Sequence, residues 1–163
     1  MPFAVTHILL PIILVDFVRD HIFKKKFILP DRYILFAGLA GLLPDIDMLY
    51  PLFGMPNLHG TITHSIFFPI TFFILFLISY FLKKKSTYKI FLLLFIGFSI
   101  HILLDSTFSD SVTLFFPLDF NRYGLKIIGS LSELYNIYAA MDAILLFVWL
   151  IHEELEHKIS DYF

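Results

Sequence analysis

The amino-acid sequence predicts an all-α fold, a polytopic membrane helix bundle of about four to five hydrophobic helices. Composition is the first reason: 58% of the 163 residues are hydrophobic, 21 are Phe and 16% are charged, whereas soluble domains are about 45–50% apolar and about 25% charged. A chain of this length leaves much of its surface exposed, so a water-soluble core could not hide so many Phe, Leu and Ile side chains. The second reason is the set of apolar runs punctuated by lysines. The third is the way basic residues separate from His and Asp along the chain. By length, residues 1–163 form a single membrane-embedded domain.

The elements follow in order. Thr6 to Phe23 is apolar but carries Pro11, Asp16, Arg19 and Asp20. Its start has no basic n-region and no small-residue cleavage site, so no removable signal peptide is expected. Tyr33 to Leu43 is apolar but covers only roughly 16 Å as a helix, too little for a hydrocarbon layer of about 30 Å. Pro30 suits the start of this helix and Pro44 its end. Ile66 to Leu82 is uncharged and stops at Lys83-Lys84-Lys85. Ile90 to Leu104 opens after Lys89 and closes on His101 and Asp105; Tyr138 to Ile151 is interrupted by Asp142. A long connection, Ser106 to Asn136, precedes the last helix and is expected to be an extracytoplasmic lid carrying Phe115 and Phe116.

If five helices alternate across the bilayer, ten of the twelve Lys and Arg residues fall on one side: Arg19, Lys24, Lys25, Lys26, Arg32, Lys83, Lys84, Lys85, Lys89 and Lys158. The positive-inside rule makes that side cytoplasmic. The opposite, extracytoplasmic side receives His7, Asp45, Asp47, His59, His64, His101 and Asp105. The expected location is thus the cell or inner membrane, with a site facing outward. Net charge is −2, so no nucleic-acid partner is expected; membrane lipid is the expected surrounding. With no cysteine, disulfides, Cys-rich zinc sites and thiol nucleophiles are excluded.

Imidazole and carboxylate hold divalent metals and are costly beside lipid. His101 and Asp105, four apart, share one helix face; on their own they equally suit a buried hydrogen bond between helices. His59 falls in the loop 54–61 and His64 in the first turn of the third helix, with Thr61 or Thr63 as a cap. Asp45 and Asp47 can bridge metals, or one can bind while the other acts as base, although Asp is common in turns. His7 begins the first helix. Asp142 sits where it could orient a ligand histidine. Asp16 pairs with Arg19 or Lys24, while His21, His152 and His157 are expected in solvent.

At these residues the chain resembles the YdjM-like family of membrane-bound metal-dependent hydrolases. The matching pieces are Thr6-His7-Ile-Leu-Leu, Leu43-Pro44-Asp45-Ile46-Asp47, His59-Gly-Thr-Ile-Thr-His64-Ser65, and His101-Ile-Leu-Leu-Asp105 followed by Leu114-Phe-Phe-Pro117. The resemblance implies a presumed zinc-type site and distant kinship with the zinc-dependent phospholipase C and nuclease group. Gly60 stands where the family pattern has Arg, which leaves Arg122 or Lys126 to replace that cation. The family's Gly between the Asp and the Pro has no counterpart in Ser109-Asp110-Ser111-Val112.

The expected function is metal-dependent hydrolysis of a phosphoester in a lipid or lipid-linked substrate. A divalent metal, with zinc favoured, would be held by His7, Asp45, His59, His64, His101 and Asp105, and Asp47 would act as bridging ligand or general base. The competing expectations are an ion-coupled transporter using Asp16, Asp142 and the histidines as a relay, and a non-catalytic adaptor with a structural metal. Oligomeric state is open.

Overall fold

In the computed structural model, residues 4–22, 31–56, 58–108, 112–125, 127 and 131–157 are described. Among the described residues there are five α-helices: α1 (Ala4–Phe17), α2 (Asp31–Leu42), α3 (Phe67–Phe81), α4 (Lys85–Phe108) and α5 (Leu131–His157). A π-helical turn, Val18–Ile22, follows α1, and a 3-10 helix, Leu43–Phe53, follows α2. Among the described residues the only strand-like pairing is a single antiparallel bridge between Val112 and Tyr123. Lys24, Lys25, Lys26, Pro30, Ser109–Ser111, Lys126 and Lys158 lie outside the described residues.

The second hydrophobic segment is longer than its composition suggested. Pro44 does not stop it. Pro lacks the N–H that an α-turn needs but fits the first turn of a new helix, so the chain tightens into the 3-10 form and continues to Phe53. Tyr33–Phe53 is then one 21-residue apolar span, beside Lys85–Phe108 and Tyr135–Leu155. α3 is shorter, at 15 residues.

α4 is the central helix, packed on α1, α2 and α3, while α1 also contacts α2 and α5. Cross-helix pairs set the directions. Tyr33 Oη meets Ser86 Oγ at 2.8 Å and Gly41 meets His101, so α2 and α4 run parallel. Thr6 meets Asp142 and Asp16 meets His152, so α1 and α5 run parallel. Phe68 stacks on Phe98 and Phe76 meets Tyr88, so α3 runs against α4.

Small residues on α2 set the spacing, as they do where membrane helices pack without a hydrophobic driving force. A Cβ on Gly97 of α4 would lie 2.4 Å from the Ala40 Cβ. A Cβ on Gly41 would lie 2.0 Å from the His7 carbonyl oxygen. Pro11 has no N–H to offer that carbonyl, which leaves it turned against Gly41. These two contacts bring the start of α1 and the end of α4 onto the end of α2. Below them, Leu9, Ile12, Val15, Ile34, Ala37 and Leu93 form the buried apolar core.

The alternation places His7, the 3-10 helix, His64, His101 and Asp105 at one end of the bundle. Arg19, Lys83, Lys84, Lys85 and Lys89 lie at the other.

Candidate metal centre

Four side chains from three stretches of chain converge on one point. Nε2 of His64 lies 3.1 Å from Nε2 of His101, 3.6 Å from Asp45 Oδ1 and 3.3 Å from Asp105 Oδ2. Nε2 of His101 lies 3.5 Å from Asp45 Oδ1 and 3.4 Å from Asp105 Oδ2. An ion bound tetrahedrally at about 2.0–2.2 Å needs ligand atoms about 3.3–3.6 Å apart. All five of these distances fall in or close to that window, and the four atoms lie within metal-binding reach of one another.

The environment of each imidazole says which nitrogen faces inward. In a 3-10 turn the Gly41 carbonyl would accept from residue 44, but Pro44 has no N–H. It accepts instead from Nδ1–H of His101 at 2.6 Å. His64 Nδ1 faces Asp47 Oδ2 at 3.3 Å and Thr63 Oγ1 at 3.2 Å. With protons on both Nδ1 atoms, both Nε2 lone pairs point at each other and at two carboxylates. A proton on one Nε2 relieves that arrangement, and so would a metal ion at the focus. Asp45 Oδ1 agrees: it is buried and has no hydrogen-bond partner among the described residues. Burial opposes a charge on His64, yet Asp105, Asp45 and Asp47 outweigh it and push its imidazole up to about 10. The donor set of two imidazoles and two carboxylates fits a divalent ion.

The remaining expected site residues surround this focus. Asp105 divides its oxygens: Oδ2 faces the focus and Oδ1 lies 3.2 Å from His7 Nε2. The His7 ring lies 4.2 Å from that of His101. Asp47 stands behind His64, not at the focus. Its Oδ1 meets His59 Nδ1 at 2.7 Å, and its Oδ2 accepts from Thr63 Oγ1 at 2.7 Å and from the Gly60 N–H at 3.3 Å. The 3-10 geometry explains the split, because residues two apart on a threefold helix point about 120° apart. His59, with Asp47 and His64, forms a second group within metal-binding reach.

Asp142 does not reach a histidine through any observed bond; its Oδ1 accepts from the backbone N–H and the hydroxyl of Thr6, one residue before His7. His152 is only partly solvated: its side chain is 28% exposed and its Nε2 lies 3.0 Å from Asp16 Oδ2. Asp16 does pair with Arg19, at 2.5 Å. His64 precedes α3 instead of opening it, and α3 begins at Phe67 without a side-chain cap on its first turn. Thr63 is thereby free to bond Asp47. Its role, like that of the Gly41 carbonyl, carries no sequence signal, since both depend on groups from distant segments.

The connection before α5 holds the histidine loop in place. Thr113 donates to the Gly60 carbonyl, Ile66 N–H to the Leu114 carbonyl, and Ser65 Oγ to the Phe116 carbonyl. Gly60 has φ 76, a left-handed conformation that favours glycine. Arg122 donates to the His59 carbonyl at 3.2 Å, and its guanidinium lies 3.8 Å from where a Gly60 Cβ would stand. Of the two cations expected to stand in for an Arg at position 60, Arg122 lies beside Gly60, and Lys126 is outside the described residues.

Fold and site together define a polytopic helical membrane protein with a buried His/Asp cluster, able to hold a metal, at one end. The profile of the YdjM inner membrane protein family matches residues 1–156, and the chain belongs to that family. No curated protein and no solved structure matches it.

Proposed function

We propose that this protein is a membrane-bound metal-dependent hydrolase that cleaves a phosphoester in a lipid or lipid-linked substrate at the extracytoplasmic face. The observation that carries this reading is the four-atom focus of Asp45, His64, His101 and Asp105, whose spacings suit one tetrahedral ion. Zinc is the favoured metal for such N/O donors. The outward orientation rests on the basic residues gathered at the opposite end.

A divalent ion, which Asp45, His64, His101 and Asp105 would hold, would supply Lewis-acid polarisation and a water of lowered pKa, about 7. The protein's groups do the rest. His7 steadies Asp105, and the Gly41 carbonyl and Asp47 fix the two imidazoles. His59, whose side chain is 21% exposed and whose Nδ1 rests on Asp47, is placed to carry a proton between substrate and solvent. In this reading Asp47 acts through His59 and His64. Arg122 supplies a cation for the phosphate.

Metal analysis of the purified protein, beside a His64→Ala/His101→Ala double variant, tests the centre; equal zinc in both would refute it. Release of phosphate or alcohol from a phosphoester panel, lost in His59→Ala while zinc is retained, tests the chemistry.

A specific observation favours a second reading. Four protein ligands close a tetrahedral site, as structural zinc centres do, whereas catalytic ones keep a position open. Asp45, with 16% of its side chain exposed against 0–1% for the other three, is the ligand that would have to yield. Chelation that unfolds the protein, with no phosphoester cleaved, would identify a structural centre in a non-catalytic adaptor.

A further inference from the structure

Between α2 with its 3-10 extension and α4 runs a groove of about 740 Å³, lined by Phe36, Leu39, Leu43 and Ile46 on one side and Ile90 and Leu94 on the other. Its lining is otherwise apolar, and its one charged side chain is Asp45. Phe36, Leu39, Leu43 and Ile46 are exposed. From Phe36 to Leu49 the wall is about 24 Å long by the rise of the two helix types, most of a hydrocarbon layer of about 30 Å.

We infer that this groove binds the acyl chain of a membrane phospholipid, with the phosphate head drawn to the focus at Asp45. Both walls belong to membrane-spanning segments, so the groove opens on hydrocarbon and water has no polar partner along it. No described segment fills it. Its volume is that of a ligand pocket, about 300–1,000 Å³. An occupant must match an apolar slot bordered by Asp45, a carboxylate of the proposed centre, and a long chain bearing a phosphoester does so. The face of α5 lacks this pairing: Phe147 and Leu155 are exposed, yet lie on a helix that supplies no ligand of the centre. The inference rests on the proposed hydrolase reading for what happens at the head, but not for the binding of the chain.

The test uses zinc-loaded protein in maltoside micelles with phosphatidic acid carrying a diazirine in its acyl chain. Photo-adducts are expected on peptides 36–49 and 90–94, displaced by unlabelled phosphatidic acid and less by diacylglycerol. Leu39→Trp, alone and with Leu94→Trp, is expected to lose these adducts while zinc content and the α5 adducts stay unchanged. Equal labelling of α5 and the groove, indifference to both Trp variants, or cross-links showing a second copy seated in the groove would overturn the inference. Hydrolysis separates the two claims. Groove adducts with no phosphoester cleaved would sink the hydrolase and leave the lipid site standing. Lipid cleavage undiminished by the filled groove would do the reverse.

Discussion

The two ends of the bundle each bury a cluster of Asp and His, and they differ in where the balancing positive charge comes from. At the basic end, Asp16 is 1% exposed and holds Arg19 on one oxygen and His152 on the other. The guanidinium neutralises the carboxylate within the chain. At the other end, Asp45, Asp47 and Asp105 meet four imidazoles, those of His7, His59, His64 and His101, and among the described residues no Lys or Arg enters the group. Asp16, His152 and Glu153 also lie within metal-binding reach, so proximity alone does not mark a metal site. The absence of a Lys or Arg in the cluster among the described residues is what distinguishes the proposed centre. Burying an unbalanced carboxylate costs several kcal/mol, a cost that protonated imidazole or a bound metal ion would offset.

Exchanging single carboxylates should break the symmetry most sharply. Asp105→Asn removes a ligand and the partner of His7, so zinc affinity should fall by more than the about 10–100-fold that outer-shell losses cost. Asp16→Asn should leave zinc affinity unchanged. Titration with a competing chelator measures both, and an equal loss in the two variants would erase the distinction.

The internal cation should matter in the opposite sense. Arg19→Gln removes the guanidinium from buried Asp16 and leaves His152 as its remaining observed partner, which should cost up to about 3–5 kcal/mol of stability, with zinc content unaltered. Adding Asp16→Asn should recover much of the loss. Unfolding in mixed micelles measures both; full stability of the single variant would mean that the pair is unimportant.

A smaller effect should come from the packing that joins the two ends. Gly97→Ala forces α2 and α4 apart at Ala40, an overpacking that should cost about 1–3 kcal/mol. It should also weaken zinc binding, because it shifts His101 away from the Gly41 carbonyl. Unchanged zinc affinity would show that the centre tolerates helix displacement.

The buried core between the ends, Leu9 through Val15 on α1 with Ile34, Ala37 and Leu93, also bears on transport. It separates the two polar clusters with apolar side chains. A relay linking Asp16 to the histidines would have to cross it.

Much of this was legible in the chain. The hydrophobic runs could only be buried in lipid, and the lysines marked their ends. Spacing put His101 and Asp105 on one helix face, and alternation sent them to the same end as His7 and His64. Helix boundaries were harder to read. Pro44 reads as a stop because it breaks α-helical bonding, yet the chain escapes into a 3-10 helix, which tolerates Pro in its first turn. Sequence made Asp45 a ligand and Asp47 a bridging ligand or base; the threefold turn put Asp45 with His64, His101 and Asp105 and left Asp47 on His59 and on the far side of His64.

What the sequence determined by itself was the solvent, the helices and the kinds of side chain in the cluster, because these follow from hydrophobicity and local spacing. The tertiary structure alone decided how roles are shared: the Gly41 carbonyl freed for His101, Thr63 on Asp47, Asp142 on Thr6, and Arg122 over Gly60. Each of those contacts joins residues far apart in the chain. Their geometry is set by how closely glycine and alanine let the helices approach, and no local pattern records it.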